Sequence, residues 1–201
     1  MPSSAASTYV GKRILDLSLA TGAFVLGSPI LLLVAGSIVL LSGQSPIFVQ
    51  ERVGQHERIF RLYKFRTLAF GSSWRARWAT RWGFALRKYS LDELPQLWNV
   101  IRGDMSLVGP RPLLVEYLPY YSEAQRRRHW AKPGITGWAQ VHGRNSLDWP
   151  ERFALDGWYV AHTSLRLDIK ILMMTLRHLI APRIDQIRPE GLSDNEKFRG
   201  S

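Results

Sequence analysis

The sequence predicts an α+β fold anchored to a membrane: an N-terminal re-entrant helix–break–helix, helices lying along the interface, and a small antiparallel sheet or hairpin. Three observations point there. No charged residue occurs from Leu17 to Gln50, and most of Leu17–Leu41 is apolar, which meets the roughly 20 apolar residues a membrane helix needs. Ile47–Val53 and Arg58–Phe65 read as short extended segments around Gly54-Gln55-His56-Glu57, the pattern of a hairpin. Ser164–Leu179 is amphipathic at the helical period.

The apolar segment is too long for the core of a cleavable signal peptide, about 7–15 residues. Gly27-Ser28-Pro29 interrupts it. Proline removes a helix hydrogen bond and clashes with the preceding turn, so a kink is expected, with Ser28 placed to bond a freed carbonyl. Each half is then about a dozen residues, roughly 18 Å, shorter than the ~30 Å hydrocarbon core. Two topologies remain open, a kinked spanning helix and a re-entrant one. Lys12 and Arg13 flank the entry, and Arg52, Arg58 and Arg61 follow the exit. Cations on both flanks favour both ends inside.

Ser42-Gly43-Gln44-Ser45-Pro46 is a turn-rich exit. In Phe70–Trp82, Trp74, Trp78 and Trp82 recur every four residues among arginines, which suits either a membrane-interface face or a core stripe. Pro95–Arg102 reads as a short helix stopped by Gly103, before a loop holding Gly109-Pro110-Arg111-Pro112. Tyr117–Arg128 reads as helical, its Arg126-Arg127-Arg128 run a solvated face or a lipid-phosphate contact. Lys132–Trp138 is a turn-and-loop segment feeding Ala139–Val141, and Pro150–His162 is an aromatic-rich helix. In the Ser164–Leu179 helix, Arg166, Lys170 and Arg177 share one face, while Asp168 falls among Ile171, Leu172, Thr175 and Leu179. An acid in an apolar stripe needs a partner: a structural ion pair with a buried Arg, or a substrate or metal.

The 201 residues suffice for one domain with a modest core. The absence of cysteine excludes disulfides, thiolate catalysis and Cys-type zinc sites. A net charge of +11, carried mainly by arginine, calls for anionic partners, because the guanidinium fork matches phosphate. The five histidines form no ligand set at helical spacing, and nucleotide motifs of the Walker or Rossmann type are absent.

The chemistry concentrates in Leu86–Gln96, where Asp92 and Glu93 follow Arg87 and Lys88. If a helix starts here, its positive end favours an ionised Asp92 and can receive phosphate. A carboxylate nucleophile beside a phosphate site suggests phosphoryl transfer through an acyl-phosphate. The competing reading is structural: Ser90 with Glu93 three residues later fits a capping box. Pro95 disturbs the first turn in either case.

Several elements occur in one order. They are Lys12-Arg13-x-x-Asp16, Ser28-Pro29, Gln50-Glu51-Arg52-x-Gly54, Lys64-Phe65-Arg66-Thr67 and Ser90-Leu91-Asp92-Glu93-Leu94-Pro95-Gln96. They continue through Gly103–Pro112, Pro133-Gly134-Ile135-Thr136-Gly137-Trp138-Ala139-Gln140-Val141, Gly143-Arg144-Asn145 and Asp156-x-Trp158-Tyr159-Val160. With these, from about Lys12 to Ile180, the chain resembles the bacterial sugar transferases, the monotopic phosphoglycosyl transferases, in their small single-domain form.

The resemblance implies that Asp92 is the nucleophile and Glu93 its partner in a Mg²⁺ site, with both as metal ligands. It implies a re-entrant helix kinked at Ser28-Pro29 and an active site on the cytoplasmic face of the bacterial inner membrane. The implied reaction moves a phosphosugar from a UDP-sugar to undecaprenyl phosphate and releases UMP, starting glycoconjugate assembly. Lys64, Arg66, Arg87, Arg111 and Arg144 are then expected on substrate or lipid phosphate, and Asp168 is kept as a substrate-site candidate. The expected organisation is a mobile N-terminus (1–11), the re-entrant helix (12–45), a cytoplasmic catalytic domain (46–182) and a mobile tail (183–201). Expected partners are the two substrates, membrane phospholipids, a second copy in a homodimer and downstream glycosyltransferases, with no nucleic acid. The Asn145–Trp149 context leans toward members that use N-acetylated sugars. One departure is the acid-free, Trp/Arg-rich Leu68–Phe84, where Leu68 replaces the usual Met. A different class of reading is a basic membrane scaffold binding anionic lipid or nucleic acid through phosphate contacts; it leaves Asp92-Glu93 and Asp168 unexplained.

Overall fold

A computed structural model describes Tyr9, residues 11–68, 74–143 and 146–180, the side chains of 74–80 and of residue 180 excepted. The elements run α1 (Lys12–Ser42), β1 (Ile47–Val53), β2 (Ile59–Phe65), α2 (Trp74–Lys88), α3 (Gln96–Arg102) and β3 (Ser106–Val108). They continue with α4 (Glu123–Arg126), β4 (Gly134–Thr136), α5 (Trp138–His142), α6 (Trp149–Ala161) and α7 (Leu165–Ile180). The fold is α+β, as expected from the sequence, with β1 and β2 an antiparallel pair in register from Ile47↔Phe65 to Val53↔Ile59.

The anticipated break in the first helix does not form. α1 continues through Pro29 for 31 residues. Proline at 29 has no N–H for the carbonyl four residues back, at Val25. The Ser28 hydroxyl donates to that oxygen at 2.8 Å instead, so the orphaned acceptor is satisfied locally.

α1 meets the rest of the chain at two places. Toward its start, Ala20 and Phe24 pack with Leu62, Leu97, Val100 and Met105. Toward its end, Val34 and Ile38 pack with Phe65 and Leu86, and the Trp82 indole N–H donates to Ser37 Oγ at 2.9 Å. Between these patches, Leu26, Leu32 and Leu33 are exposed. Both ends of the apolar helix therefore dock on one body.

Lys12 and Arg13 are docking residues more than flanking charges. Lys12 Nζ forms an ion pair with Asp168 of α7, with Val108 O at 3.2 Å and the Tyr159 hydroxyl at 3.4 Å. Arg13 donates to Val100 O and Ile101 O at 2.6 and 2.8 Å, satisfying carbonyls in the last turn of α3. Asp16 Oδ1 accepts from Ser106 Oγ and Leu107 N at 3.1 and 3.0 Å. Tyr9, inside the stretch expected to be mobile, donates to Asp168 Oδ2 at 3.0 Å; most of 1–11 and all of 183–201 lie outside the described residues.

Three readings of the middle of the chain need correction. Tyr117–Arg128 is not one helix: a 3₁₀ segment over Val115–Tyr120, which contains Pro119, is followed by α4 and a 3₁₀ turn over Arg127–Trp130. The arginine run is a solvated face only in part, at Arg127, which is exposed. Arg128 is buried against Asp156 at 2.7 Å, and Arg126 donates to both Glu57 oxygens at 2.7 and 2.8 Å. Gly134–Thr136 is not loop but β4, parallel to β3 with Ser106↔Gly134 and Val108↔Thr136 in register.

That parallel pair depends on missing side chains. A Cβ on Gly134 would lie 2.1 Å from Gly109 N, and one on Gly109 would lie 2.2 Å from Lys132 O. Backbone meets backbone there, which fixes where the following Pro110-Arg111-Pro112 emerges. A similar approach occurs in the acid-free stretch, where a Cβ on Gly83 would fall 1.9 Å from Thr67 O, so α2 lies directly on the chain leaving β2. Trp74 and Trp78 have side chains outside the described set.

Candidate active site

The capping box read at Ser90 does not form. Ser90 sits in the left-handed region at φ 55° and makes no side-chain cap bond, and Leu91–Glu93 is a single 3₁₀ turn. Pro95 then precedes α3, so Asp92 is not at the start of a long helix and the macrodipole argument for it falls away. Glu93 instead turns to tertiary partners: Lys64 Nζ from β2 and Arg111 Nη2 both donate to its Oε1 at 3.0 Å. Two charged donors outcompete one backbone N–H, because charge-assisted bonds are about twice as strong as neutral ones.

Asp92 is 5% exposed. The Glu93 side chain is 13% exposed. Burial alone would raise the Glu93 carboxyl, but Arg111 and then Lys64 more than reverse this and hold it at about 2. Glu93 is thus an anion at neutral pH, paired with two cations. A depressed carboxyl stabilises the fold fully above its unfolded pKa, and that contribution is lost as pH falls through the folded one. The parent should therefore lose this contribution between about 4.5 and about 2. Glu93→Gln should melt lower than the parent at pH 7, and the gap should close toward pH 2. Melting curves across pH check this; a gap that is constant with pH would contradict it.

Asn99, a residue the sequence reading missed, ties the helix that follows the two acids to β2. It is fully buried. Its Nδ2 donates to Arg61 O at 2.7 Å and its Oδ1 accepts from Tyr63 N at 3.1 Å, which ties α3 to β2 beside Lys64. The signal was present: an amide within the apolar Leu97-Trp98-Asn99-Val100-Ile101 needs partners as much as Asp168 does.

The other cation comes from a pinned loop. Successive carbonyls of Pro110, Arg111, Pro112 and Leu113 accept from Gly134 N (3.0 Å), Arg128 Nη2 (2.8 Å), Arg52 Nη1 (3.4 Å) and Val53 N (3.1 Å). Prolines on both sides restrict the backbone of Arg111 further.

Of the expected anion-site residues, Lys64 and Arg111 converge on Glu93. Arg87 Nη1 donates instead to Thr67 Oγ1 at 2.9 Å and Thr67 O at 3.3 Å. Arg66 Nε donates to Ser45 O at 3.0 Å, with its guanidinium over the Phe48 ring. Arg144 lies outside the described residues. Asp168 is held apart from this group. Its carboxylate takes the Lys12 ammonium and the Tyr9 hydroxyl, with the Tyr159 hydroxyl 2.8 Å from Oδ1, so it is a structural ion pair, to Lys12 where an Arg was expected. Burial, and then the Asp168 charge, raises both tyrosines.

Among the described residues no cluster of three or more His, Asp or Glu could hold a metal. Two adjacent carboxylates do suit a Mg²⁺ ion, which keeps several waters and takes one or two carboxylates plus substrate phosphate. In outline, the site offers two carboxyl groups, two cations and a rigid loop, a set that can receive a diphosphate and attack it.

Known proteins resemble this chain over most of its length. The family described as bacterial sugar transferase matches residues 7–182. The "uncharacterized sugar transferase EpsL" of Bacillus subtilis is 44% identical over 196 residues, covering 94% of this chain and 96% of that protein. The undecaprenyl-phosphate galactose phosphotransferase of Salmonella typhimurium is 36% identical, covering 83% of this chain and 40% of its own length. The UDP-N-acetylgalactosamine-undecaprenyl-phosphate N-acetylgalactosaminephosphotransferase of Aeromonas hydrophila is 39% identical, covering 84% and 43%. The chain thus spans nearly all of the Bacillus protein and about two fifths of the other two.

Proposed function

The chain belongs to the bacterial sugar transferase family, and from that premise we propose that it moves a phosphosugar from a UDP-sugar to undecaprenyl phosphate at the cytoplasmic face of the inner membrane. The observation that carries this reading is the convergence of Lys64 and Arg111 on Glu93, beside the buried Asp92. Asp92 Oδ attacks the sugar-linked phosphorus, and the bond to the bridging oxygen breaks as UMP leaves. The acyl-phosphate is then attacked by a lipid phosphate oxygen, which frees the Asp92 carboxylate. Arg111 and Lys64 take up charge on the phosphate oxygens, and Arg111 presents the fork that a diphosphate needs. Asp92 and Glu93 would hold Mg²⁺, whose part is to offset the crowding of anions. Incubation with a panel of UDP-sugars, undecaprenyl phosphate and Mg²⁺ tests the reading by UMP release. Relatives named for galactose and for N-acetylgalactosamine match similarly, so both donors belong in the panel. No UMP from any donor would refute the reading, and a basic lipid-binding scaffold would remain.

Two surfaces support membrane attachment. The first is the exposed middle of α1 between its two docked patches. The second is α7, where Leu165, Ile169, Met173 and Leu176 form an exposed apolar stripe. Arg166, Lys170 and Arg177 flank it, the arrangement of an interface-lying helix beside anionic lipid. A spanning α1 would draw one docked patch out of the body and across ~30 Å of hydrocarbon, so the re-entrant course is favoured. The sequence has no cysteine, so a single thiol introduced at Ser4 reports cleanly. It should react with a membrane-impermeant maleimide only after the cytoplasmic side is opened; labelling in intact cells would mean a spanning helix.

A further inference from the structure

We propose that the buried Arg128–Asp156 pair positions Arg111, so that Arg128 is a positioning residue for the diphosphate-binding cation although it contacts no substrate. This rests on the reading of Arg111 given above.

Arg128 and Asp156 side chains are each 2% exposed. Burial alone would lower the Arg128 pKa, but the Asp156 carboxylate reverses this and raises it, so the guanidinium is a cation throughout the useful pH range. Its donors are divided. Nε and Nη2 donate to Asp156 Oδ2 at 3.1 and 2.7 Å, Nη1 donates to the Tyr121 hydroxyl at 3.4 Å, and Nη2 also donates to Arg111 O at 2.8 Å. One nitrogen thus carries one bond to the buried acid and another to the backbone of the active-site loop. The Phe153 ring lies under the guanidinium at 5.5 Å.

A pair that served only stability would need no such link. Isolated buried pairs are often neutral or worse for stability than a well-packed apolar replacement. This one sits between α6, which supplies Asp156, and a loop whose next carbonyls are held by β1 and Arg52. The segment bearing Arg128 is itself clamped from its other side. The β1–β2 turn, with His56 and Glu57 both at positive φ, bonds Arg126 through Glu57 and Trp130 O through Gln55 Nε2 at 2.8 Å. Left-handed non-glycine residues persist only where their surroundings over-determine them. The chain of contacts runs from the hairpin turn through Arg128 to the carbonyl of Arg111, and from the Arg111 side chain to Glu93.

The test separates fold from position. The double variant Arg128→Met/Asp156→Leu replaces the pair with apolar side chains of similar length, so it should melt close to the parent while losing the bond to Arg111 O. UDP binding is read by calorimetry, with UMP release measured alongside. The double variant should bind UDP about tenfold or more weaker, the scale of one bond to a charged group. Arg111→Ala should lose a similar factor, and the triple variant should lose no more than Arg111→Ala alone. Parent-like UDP binding in a stably folded double variant would overturn the proposal, as would losses that simply add in the triple variant. If the double variant does not fold, Arg128→Lys keeps the charge opposite Asp156 and loses the fork; it should weaken UDP binding and show the same non-additivity with Arg111→Ala. A parent that binds UDP but releases no UMP would refute the transferase reading while leaving the coupling measurable. A parent that binds no UDP would overturn both.

Discussion

Asp92→Asn should reduce UMP release to background, with the fold intact. The amide keeps the shape and part of the hydrogen bonding of the carboxylate but cannot form an acyl-phosphate. Loss of a nucleophile commonly removes about three or more orders of magnitude from turnover. The site around it should hold, because Glu93, Lys64 and Arg111 contact one another independently of that substitution. The sharper measurement is covalent. After incubation with a UDP-sugar labelled in the sugar-linked phosphate, without lipid acceptor, the parent should carry label that hydroxylamine removes, and Asp92→Asn should carry none. Label retained by the Asn variant would place the nucleophile elsewhere. Substantial turnover without any labelled protein would favour direct attack by the lipid phosphate, leaving Asp92 an electrostatic role.

Asp168→Asn should cost stability on the order of 3–5 kcal/mol, the usual penalty for breaking a buried pair from one side. Lys12 is 6% exposed and has its ammonium against Asp168; without the carboxylate's charge a buried cation is left with neutral partners, among them Val108 O, the Tyr159 hydroxyl and the Tyr9 ring. The loss is not confined to α7. Lys12 begins α1, and Val108 ends β3 three residues before Arg111, so the docking of α1, of α7 and of the loop bearing Arg111 should loosen together. Melting temperature and retention in the membrane fraction should both fall. The swap Lys12→Met/Asp168→Leu should recover much of the melting temperature, since both charges leave together. A single Asp168→Asn variant as stable as the parent would mean that the pair contributes nothing to docking.

Much of the architecture was legible because its signals are local. An uncharged apolar run, two strand-like segments about a Gly-containing turn, and the amphipathic stripe of α7 each declare themselves within a few residues. Asp92 and Glu93 were legible as a pair by adjacency, and the order of motifs made the family recognisable. Even the remedy at Pro29 was local, since Ser28 and the freed Val25 carbonyl share one turn.

Most of the assignments that only the tertiary structure decided concern which charge meets which. Ser90 and Glu93 have the spacing of a capping box, yet Glu93 binds Lys64 and Arg111, cations brought from strand and loop. Asp168 announced a need for a partner, and the partner was Lys12, 156 residues away. Arg128 looked like a solvated charge until Asp156 covered it, and Gly134 read as loop until its backbone met Gly109. A sequence determines where apolar surface must be hidden, because burial follows periodicity along the chain. It does not by itself determine the pairing of buried charges, because Coulomb attraction and hydrogen-bond geometry act through space, and chain topology alone sets which groups share it.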